Sequence, residues 1–204
     1  MRKIIVYDCD GVLFNSTEAV KGYYDFVFEK FGVTKIDWEN SSMLALAMMG
    51  TNEVIVRHFV KDDALIGEML EFAMKMNFKQ FIHLMEPKPG IHSTLETLIE
   101  QGRSLAVFTN RGISLGYLLE HFGMGNYFSY TVTCMDVAKP KPDPEGLYKI
   151  MSQFKEKKES LLFIGDSMTD YMAAKSADVP FLAYENRLED STVITHHKEI
   201  FDHL

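Results

Sequence analysis

Two acidic residues, Asp8 and Asp10, stand two positions apart at the end of an apolar run in the segment VYDCDGVLF. In an extended strand, residues i and i+2 point the same way, so both carboxylates can act on one atom while Cys9 faces the opposite side. Gly11 follows directly, and a glycine permits a sharp turn or a close approach of the backbone to a ligand. A surface turn of the Asp-Gly type explains this short stretch equally well.

Polar side chains also follow three other apolar runs, SLAVF, YTVTC and LLFIG. These residues are Thr109, Asn110 and Arg111 after the first run, Lys139 after the second, and Asp166, Ser167 and Asp170 after the third. In open parallel α/β sheets, ligands lie outside the carboxyl ends of the strands at a topological switch point. One crevice can therefore collect all of these residues together with Asp8 and Asp10, which favours a functional site over a surface turn.

A site that gathers Asp8, Asp10, Asp166 and Asp170 carries a concentrated negative charge. Two like charges about 4 Å apart repel by about 4 kcal/mol at an effective dielectric constant of ~20. Either some carboxylates hold protons or a cation is bound, because one lysine cannot balance four acids. Mg²⁺ is the expected cation, since it combines one or two carboxylates with waters and substrate phosphate. Such a site suits phosphoryl transfer, in which positioning and charge stabilisation dominate catalysis.

The elements that must position these residues alternate between short strands and helices. Buried parallel strands are predicted at residues 3–7, 104–108, 130–134, 161–164 and 180–184. Helical patterns lie between the later strands, at residues 113–122, 145–154 and 168–177. This alternation implies right-handed βαβ crossovers, and hence a doubly wound α/β core with a parallel sheet.

The interval from residue 15 to residue 87 breaks the alternation, because it shows helical periodicity and no convincing strand. It predicts a helical module inserted into a core of residues 1–14 and 88–204. The segment EPKPG at 86–90 returns the chain to the core, since two prolines and a glycine interrupt regular structure.

Composition limits the classes of partner and the location. The chain has 204 residues, 47% of them hydrophobic, which is ample for a sizeable core. A formal net charge of -8 argues against a nucleic acid or an anionic membrane as partner. No long apolar run and no signal segment stand out, so we expect no membrane span and a cytoplasmic location. The two cysteines, Cys9 and Cys134, lack CxxC spacing and are predicted to be reduced thiols.

Four segments together resemble the motifs of the haloacid dehalogenase superfamily of phosphohydrolases, in particular its phosphoglycolate-phosphatase-like branch with an inserted helical cap. They are DCDGV, TNR, KPKPDP and GDSMTD, in the order of the family and within residues 4–184. Each motif is weak alone, but four in order at predicted strand ends are specific. The resemblance implies a Rossmann-like three-layer core with a parallel sheet, and an all-helical cap at residues 15–87.

The resemblance also implies roles for the acidic residues. Asp8 corresponds to the nucleophile and Asp10 to the general acid and base. Asp8, the Asp10 backbone carbonyl and Asp166 would ligate Mg²⁺, and Asp170 would ligate it or hold its water shell. An aspartate at position 10 is similar to the phosphatases and mutases of the superfamily, and unlike its dehalogenases.

Phosphate binding is implied for the second and third motifs. The Thr109 hydroxyl and the Asn110 backbone would bind phosphate, and we align Lys139 with the lysine that steadies the nucleophile and the phosphate. Lys141 and Arg111 are expected to be flanking surface charges and not ligands.

The activity implied is Mg²⁺-dependent hydrolysis of a small phosphorylated metabolite through an aspartyl-phosphate intermediate. One alternative is a phosphomutase of the β-phosphoglucomutase type, which returns the phosphoryl group to a sugar. A binding or regulatory protein without turnover is disfavoured, because Asp8, Asp10, Lys139 and Asp166 are all present. The sequence leaves the substrate open, and either a monomer or a homodimer is expected.

The predicted cap is the expected source of substrate specificity, since caps close over substrates and exclude water. Thr51, Asn52 and Arg57 are its candidates, because an arginine or a polar side chain can meet a second anionic group on the substrate. Ordinary surface solvation accounts for each of them equally well. The seven histidines show no paired metal spacing and are expected to be structural or exposed.

Overall fold

The computed structural model describes residues 2–204, apart from the side chain of Met49, and they form two compact units. The first unit combines residues 2–15 with Pro87–Leu204, and the second is Ser16–Glu86. Among the described residues, no helix is both long enough and apolar enough to cross a membrane.

A parallel sheet of six strands forms the centre of the first unit. The strands of the chain are β1 (Ile4–Tyr7), β2 (Phe14–Asn15), β3 (Glu86–Pro87), β4 (Ser104–Phe108), β5 (Tyr130–Val132), β6 (Leu161–Gly165), β7 (Phe181–Tyr184) and β8 (Thr192–Ile194). The sheet has the order β5-β4-β1-β6-β7-β8, whereas β2 and β3 pair separately. Ile4 lies opposite both Ser104 and Leu161, so β1 is hydrogen-bonded on both sides. The strand order reverses beside β1, which is therefore at the switch point.

Helices pack against this sheet. Those of the first unit are α5 (Ile91–Glu100), α6 (Ser114–His121), α7 (Glu145–Phe154) and α8 (Met168–Ala177), with short 3₁₀ helices at Lys158–Ser160 and His197–His203. Val6, Phe108 and Phe163 belong to the same buried cluster as residues of α7 and α8. The alternate strand positions are equally buried, as expected for a parallel sheet that is covered on both faces. The predicted Rossmann-like α/β core is confirmed.

The second unit is built from helices. It contains α1 (Thr17–Lys30), α2 (Ser41–Met49), α3 (Asn52–Phe59), α4 (Asp63–Lys75) and a 3₁₀ helix at Phe78–Leu84. Its interior is aromatic: the Tyr23 ring meets those of Tyr24 and Phe81 edge to face at 5.0 and 6.0 Å between centroids. Such pairs stabilise a core beyond the area that they bury.

Candidate active site

Asp8 follows β1 directly and Asp10 lies two residues further on, at the carboxyl end of a strand in the middle of the sheet. The Asp8 N–H still donates to the Ile164 carbonyl of β6 at 2.9 Å, so the sheet fixes the position of this residue. Cys9 is fully buried, whereas Asp8 is 6% exposed and Asp10 is half-buried. The two carboxylates thus stand at the open end of the strand while the thiol packs into the core.

Gly11 makes the turn that follows these carboxylates. Its N–H donates to the Phe14 carbonyl at 2.8 Å, and its φ of +82° lies in the left-handed region. A Cβ at this position would lie 1.9 Å from Oδ2 of Asp166. Glycine is therefore required twice, for the backbone conformation and for the close approach of a second acidic residue.

Gly11→Ala is expected to lower the free energy of unfolding by about 2–4 kcal/mol and to reduce activity, because strain and a clash with Asp166 add together. Gly102→Ala is the matched control: its φ is +77°, but nothing lies within 4 Å of the added Cβ. The control reports the conformational cost alone, about 1–2 kcal/mol. Urea unfolding measures both variants, and equal losses would show that the approach to Asp166 tolerates a methyl group.

Lys141 lies among the acidic residues. Its Nζ donates to Oδ1 of Asp8 at 2.7 Å, to Oδ1 of Asp170 at 2.5 Å and to the Phe108 carbonyl at 3.0 Å. An ammonium group has three donors, and all three are used. Burial alone would lower the pKa of Lys141, but the carboxylates of Asp170 and Asp8 outweigh it and hold that pKa above its usual value. The lysine is therefore a fixed positive charge.

The prediction that Lys139 stands beside the nucleophile is wrong, because Lys141 takes that place. The side chain of Lys139 is exposed, and its backbone N–H donates to Oε2 of Glu145 at 3.2 Å. The Asn110 side chain holds Lys141 in this place. Its Nδ2 donates to the Lys141 carbonyl at 3.0 Å, and its Oδ1 accepts from the Lys141 N–H at 2.9 Å. Two bonds to the backbone of one residue set the path of the loop, which the spacing of the two lysines could not reveal.

The expectation that Arg111 is a flanking surface charge is also wrong. Its Nη2 donates to Oδ1 of Asp10 at 2.6 Å and its Nε donates to Oδ2 at 3.0 Å. Burial alone would lower the pKa of Arg111, but the Asp10 carboxylate raises it above its usual value. The one signal in the sequence was position: Arg111 is two residues beyond Thr109, at the same edge of the sheet as Asp10.

Asp166 enters the site from the connection between β6 and α8, and Asp170 from the first turn of α8. Ser167 begins α8 with a capping box: its N–H and Oγ donate to Oδ2 of Asp170 at 3.0 and 2.5 Å, and its Oγ accepts from the Asp170 N–H at 3.3 Å. The other oxygen of this fully buried carboxylate accepts from Lys141. Asn186 donates to the Asp166 carbonyl at 2.8 Å. The start of a helix thus fixes Asp170, and through it Lys141.

Three carboxylates form a cluster with the donor chemistry of a cation site. Asp8, Asp166 and Asp170 each place one oxygen within 4.8 Å of the others. Burial, followed by repulsion from Asp170, raises the pKa of Asp8 to about 7. Burial, followed by repulsion from Asp8, raises the pKa of Asp166 to about 8. Both shifts reflect the cost of holding these oxygens as anions in one buried place.

The charge balance of the site also suits a divalent cation. The site brings four carboxylates, counting Asp10, together with two cationic side chains, Lys141 and Arg111. When all four are ionised, two negative charges are unmatched within the site. An all-oxygen donor set with this excess fits Mg²⁺, which binds few carboxylates and retains several waters.

Comparison with known proteins agrees with this geometry. The model of the haloacid dehalogenase-like hydrolase family matches residues 5–184. The chain belongs to this family. Among curated proteins, pyrophosphatase PpaX of Halalkalibacterium halodurans is 30% identical over 190 residues, which are 91% of this chain and 86% of that protein. Phosphoglycolate phosphatase of Pseudomonas syringae pv. syringae is 29% identical over 189 residues, which are 89% of this chain and 68% of that protein.

Solved structures of this family share the fold. A haloacid dehalogenase superfamily hydrolase of subfamily IA, variant 1, from Geobacter sulfurreducens is 33% identical, with a TM-score of 0.84. The match covers 100% of this chain and 96% of that one. The predicted family, its α/β fold and the predicted class of enzyme, a phosphoric monoester hydrolase, are confirmed.

The three candidates for specificity in this hydrolase lie in the second unit and have local partners there. The Thr51 hydroxyl caps α3, the Asn52 amide lies between two tyrosine hydroxyls at 2.7 and 3.1 Å, and the exposed Arg57 pairs with two acids at 2.8 and 2.9 Å. Thr51 accepts from the Val54 N–H, Asn52 bonds to Tyr23 and Tyr24, and Arg57 pairs with Glu53 and Asp63. These contacts stabilise the unit, and a role in specificity stays a prediction.

Proposed function

We propose that this chain is a Mg²⁺-dependent phosphatase that hydrolyses a small-molecule phosphate monoester through a phosphorylated Asp8. The observation that carries the proposal is the surroundings of Asp8: its carboxylate follows the central strand, accepts from Lys141 and lies in one cluster with Asp166 and Asp170. The names of the curated relatives, a pyrophosphatase and phosphoglycolate phosphatases, support a small phosphorylated substrate.

Asp8 and Asp10 divide the proposed chemistry between them. An oxygen of Asp8 attacks phosphorus, and the bond from phosphorus to the ester oxygen breaks as the new bond forms. Asp10 gives its proton to the departing oxygen. It then takes a proton from the water that attacks the phosphorylated Asp8, which releases phosphate, restores the Asp8 carboxylate and returns Asp10 to its protonated form.

Lys141 and Thr109 are the proposed phosphate-binding side chains. Lys141 takes the role for which the motif alone suggested Lys139, since its ammonium already meets the Asp8 carboxylate. Thr109 is 2% exposed, and its Oγ1 accepts from the Arg111 N–H at 3.0 Å, which leaves its O–H as a donor toward phosphate. The proposed role of the Asn110 backbone stands beside the observed role of its side chain in placing Lys141.

The residues that would hold Mg²⁺ are Asp8, Asp166 and the Asp10 backbone carbonyl. When bound there, the ion offsets the charge of the carboxylates and of the incoming phosphate, so that two anions can meet. Asp170 would act chiefly through its neighbours, because one of its oxygens accepts from Lys141 and the other from Ser167.

A phosphate-release screen over a panel of phosphorylated metabolites tests the proposal. We expect release from at least one monoester, a fall of at least about 100-fold when EDTA removes the metal, and recovery with added Mg²⁺. No release across the panel, or equal rates with and without metal, would contradict it. Little free phosphate together with dependence on a bisphosphate would instead identify the phosphomutase.

The second unit is proposed to be the cap that carries specificity. Its helical construction, Ser16–Glu86, agrees with that role. A cytoplasmic location and a monomeric or homodimeric state stay predictions from the sequence.

A further inference from the structure

Arg111 and Asp10 form a two-pronged ion pair in the site. The guanidinium presents Nε and Nη2 side by side to the two oxygens of one carboxylate, at 3.0 and 2.6 Å. The Arg111 side chain is 8% exposed and that of Asp10 is 29% exposed. Parallel bonds of this kind fix the plane of both groups, whereas a single bond or a lysine would let the carboxylate rotate.

The arginine is itself held in place from a second direction. Its Nη1 donates to Oγ of Ser114, the first residue of α6, at 3.1 Å. Its backbone N–H donates to Oγ1 of Thr109 at 3.0 Å. The guanidinium is thus a rigid link that runs from α6 and the turn after β4 to the carboxylate after β1.

We propose that Arg111 is a positioning residue that fixes the direction of the ionised Asp10 carboxylate for the step in which it takes a proton from the attacking water. The inference rests on the proposed function, in which Asp10 is the general acid and base. Such a group must lie within hydrogen-bond reach of the atom that gains or loses the proton. A misplacement of about 1 Å can cost about 100-fold in rate, so a side chain on a glycine turn benefits from a rigid partner.

An arginine near a phosphate site could bind the substrate instead. At least three of the five N–H donors of Arg111 already point to Asp10 and Ser114. A substrate anion would have to break bonds that the free protein makes. The two roles differ in kinetics, since loss of positioning lowers kcat, while loss of substrate binding raises KM.

Rapid kinetics on the Mg²⁺-loaded enzyme with p-nitrophenyl phosphate separate these roles. For Arg111→Met we expect kcat and KM to fall together by about 100-fold, so that kcat/KM is unchanged, because only the second step is slowed with this substrate. We also expect a burst of about one p-nitrophenolate per enzyme, because this leaving group departs without a proton, whereas hydrolysis of the phosphorylated Asp8 still needs Asp10. Arg111→Lys should recover part of the loss, since it restores the charge without the parallel bonds.

A double-mutant cycle tests whether Arg111 acts through Asp10. In an Asp10→Asn background, Arg111→Met is expected to change kcat by less than about 3-fold, because the group to be positioned is already gone. Losses that multiply in the double variant would overturn the inference. A raised KM with unchanged kcat would also overturn it, in favour of substrate binding.

Further outcomes distinguish a failure of this inference from a folding defect and from a failure of the proposed function. If circular dichroism shows that Arg111→Met does not fold, Ser114→Ala tests the same link, with an expected fall in kcat of about 3- to 10-fold at unchanged kcat/KM. Unchanged kcat in that variant then overturns the inference. Arg111→Met as active as the wild type overturns the inference alone. A wild-type protein that releases no phosphate from p-nitrophenyl phosphate or from any metabolite overturns the proposed function, and this inference with it.

Discussion

Asp8→Asn is expected to abolish phosphate release while the protein stays folded. An amide is far too weak a nucleophile to attack phosphorus, and loss of a nucleophile typically costs at least about 10⁴-fold in kcat. Asparagine has the size of aspartate and keeps an oxygen that can accept from Lys141 Nζ, now 2.7 Å from Oδ1 of Asp8. Measurement of phosphate release at saturating Mg²⁺, with circular dichroism on the same sample, checks both parts of the expectation.

Stability gives Asp8→Asn an internal control. The pKa of Asp8 is raised to about 7 by burial and by Asp170, so above that pH its ionised form costs folding free energy. A neutral asparagine removes this cost, and at pH 8 without metal the variant should therefore melt no lower than the wild type. Asp202→Asn, at an exposed position, should change neither rate nor Tm. Normal phosphate release by Asp8→Asn would refute the assigned nucleophile.

The helices and strands were predictable where apolar residue types mark the buried positions. The strand at 104–108 and the helices at 145–154 and 168–177 have the bounds that their apolar patterns indicate. The strand predicted at 130–134 ends at Val132, because the N–H and hydroxyl of Thr133 turn to Oδ2 of Asp136. Strand β8 has three residues, and its pairing with β7 defines it more than its composition does.

The acidic residues of the site were predictable for a different reason. Asp8 and Asp166 each stand immediately after a buried strand, with Asp10 two residues beyond Asp8, and a parallel sheet brings such positions to one edge. Position in the chain then translates almost directly into position in space. Only local geometry, such as the glycine turn after Asp10, had to be added.

The cationic residues were not predictable, because loops and not strands place them. Lys139 and Lys141 occur in one repeating segment, and the choice between them depends on the bonds that Asn110 makes across 31 positions of sequence. Arg111 reaches Asp10 across 101 positions. Pairings of this kind leave no periodic pattern, so a sequence without its fold cannot rank one lysine over the other.

The surroundings of Lys141 explain how a charge can be buried there. Its Nζ lies 5.3 Å from the ring centre of Phe108 and 5.7 Å from that of Phe163, in addition to its two carboxylate partners. Aromatic faces attract a cation most strongly where water is excluded. Two carboxylates and two aromatic rings therefore stabilise the positive charge of Lys141. Its removal leaves Asp8 and Asp170 close together without a counter-charge.

Lys141→Met is accordingly expected to lower the free energy of unfolding by about 3–5 kcal/mol, the usual cost of breaking a buried ion pair, and to reduce kcat at least about 1,000-fold. Lys139→Met is the matched control, two residues away in the same loop, and should leave the urea midpoint and the rate unchanged. Lys141→Arg should not restore activity, because a planar guanidinium cannot place three donors where one ammonium does.

Loss of activity in Lys139→Met, with Lys141→Met still active, would return the role to Lys139. That result would mean that this loop is rebuilt when substrate binds, since in the present arrangement Lys141 contacts the nucleophile and Lys139 is exposed.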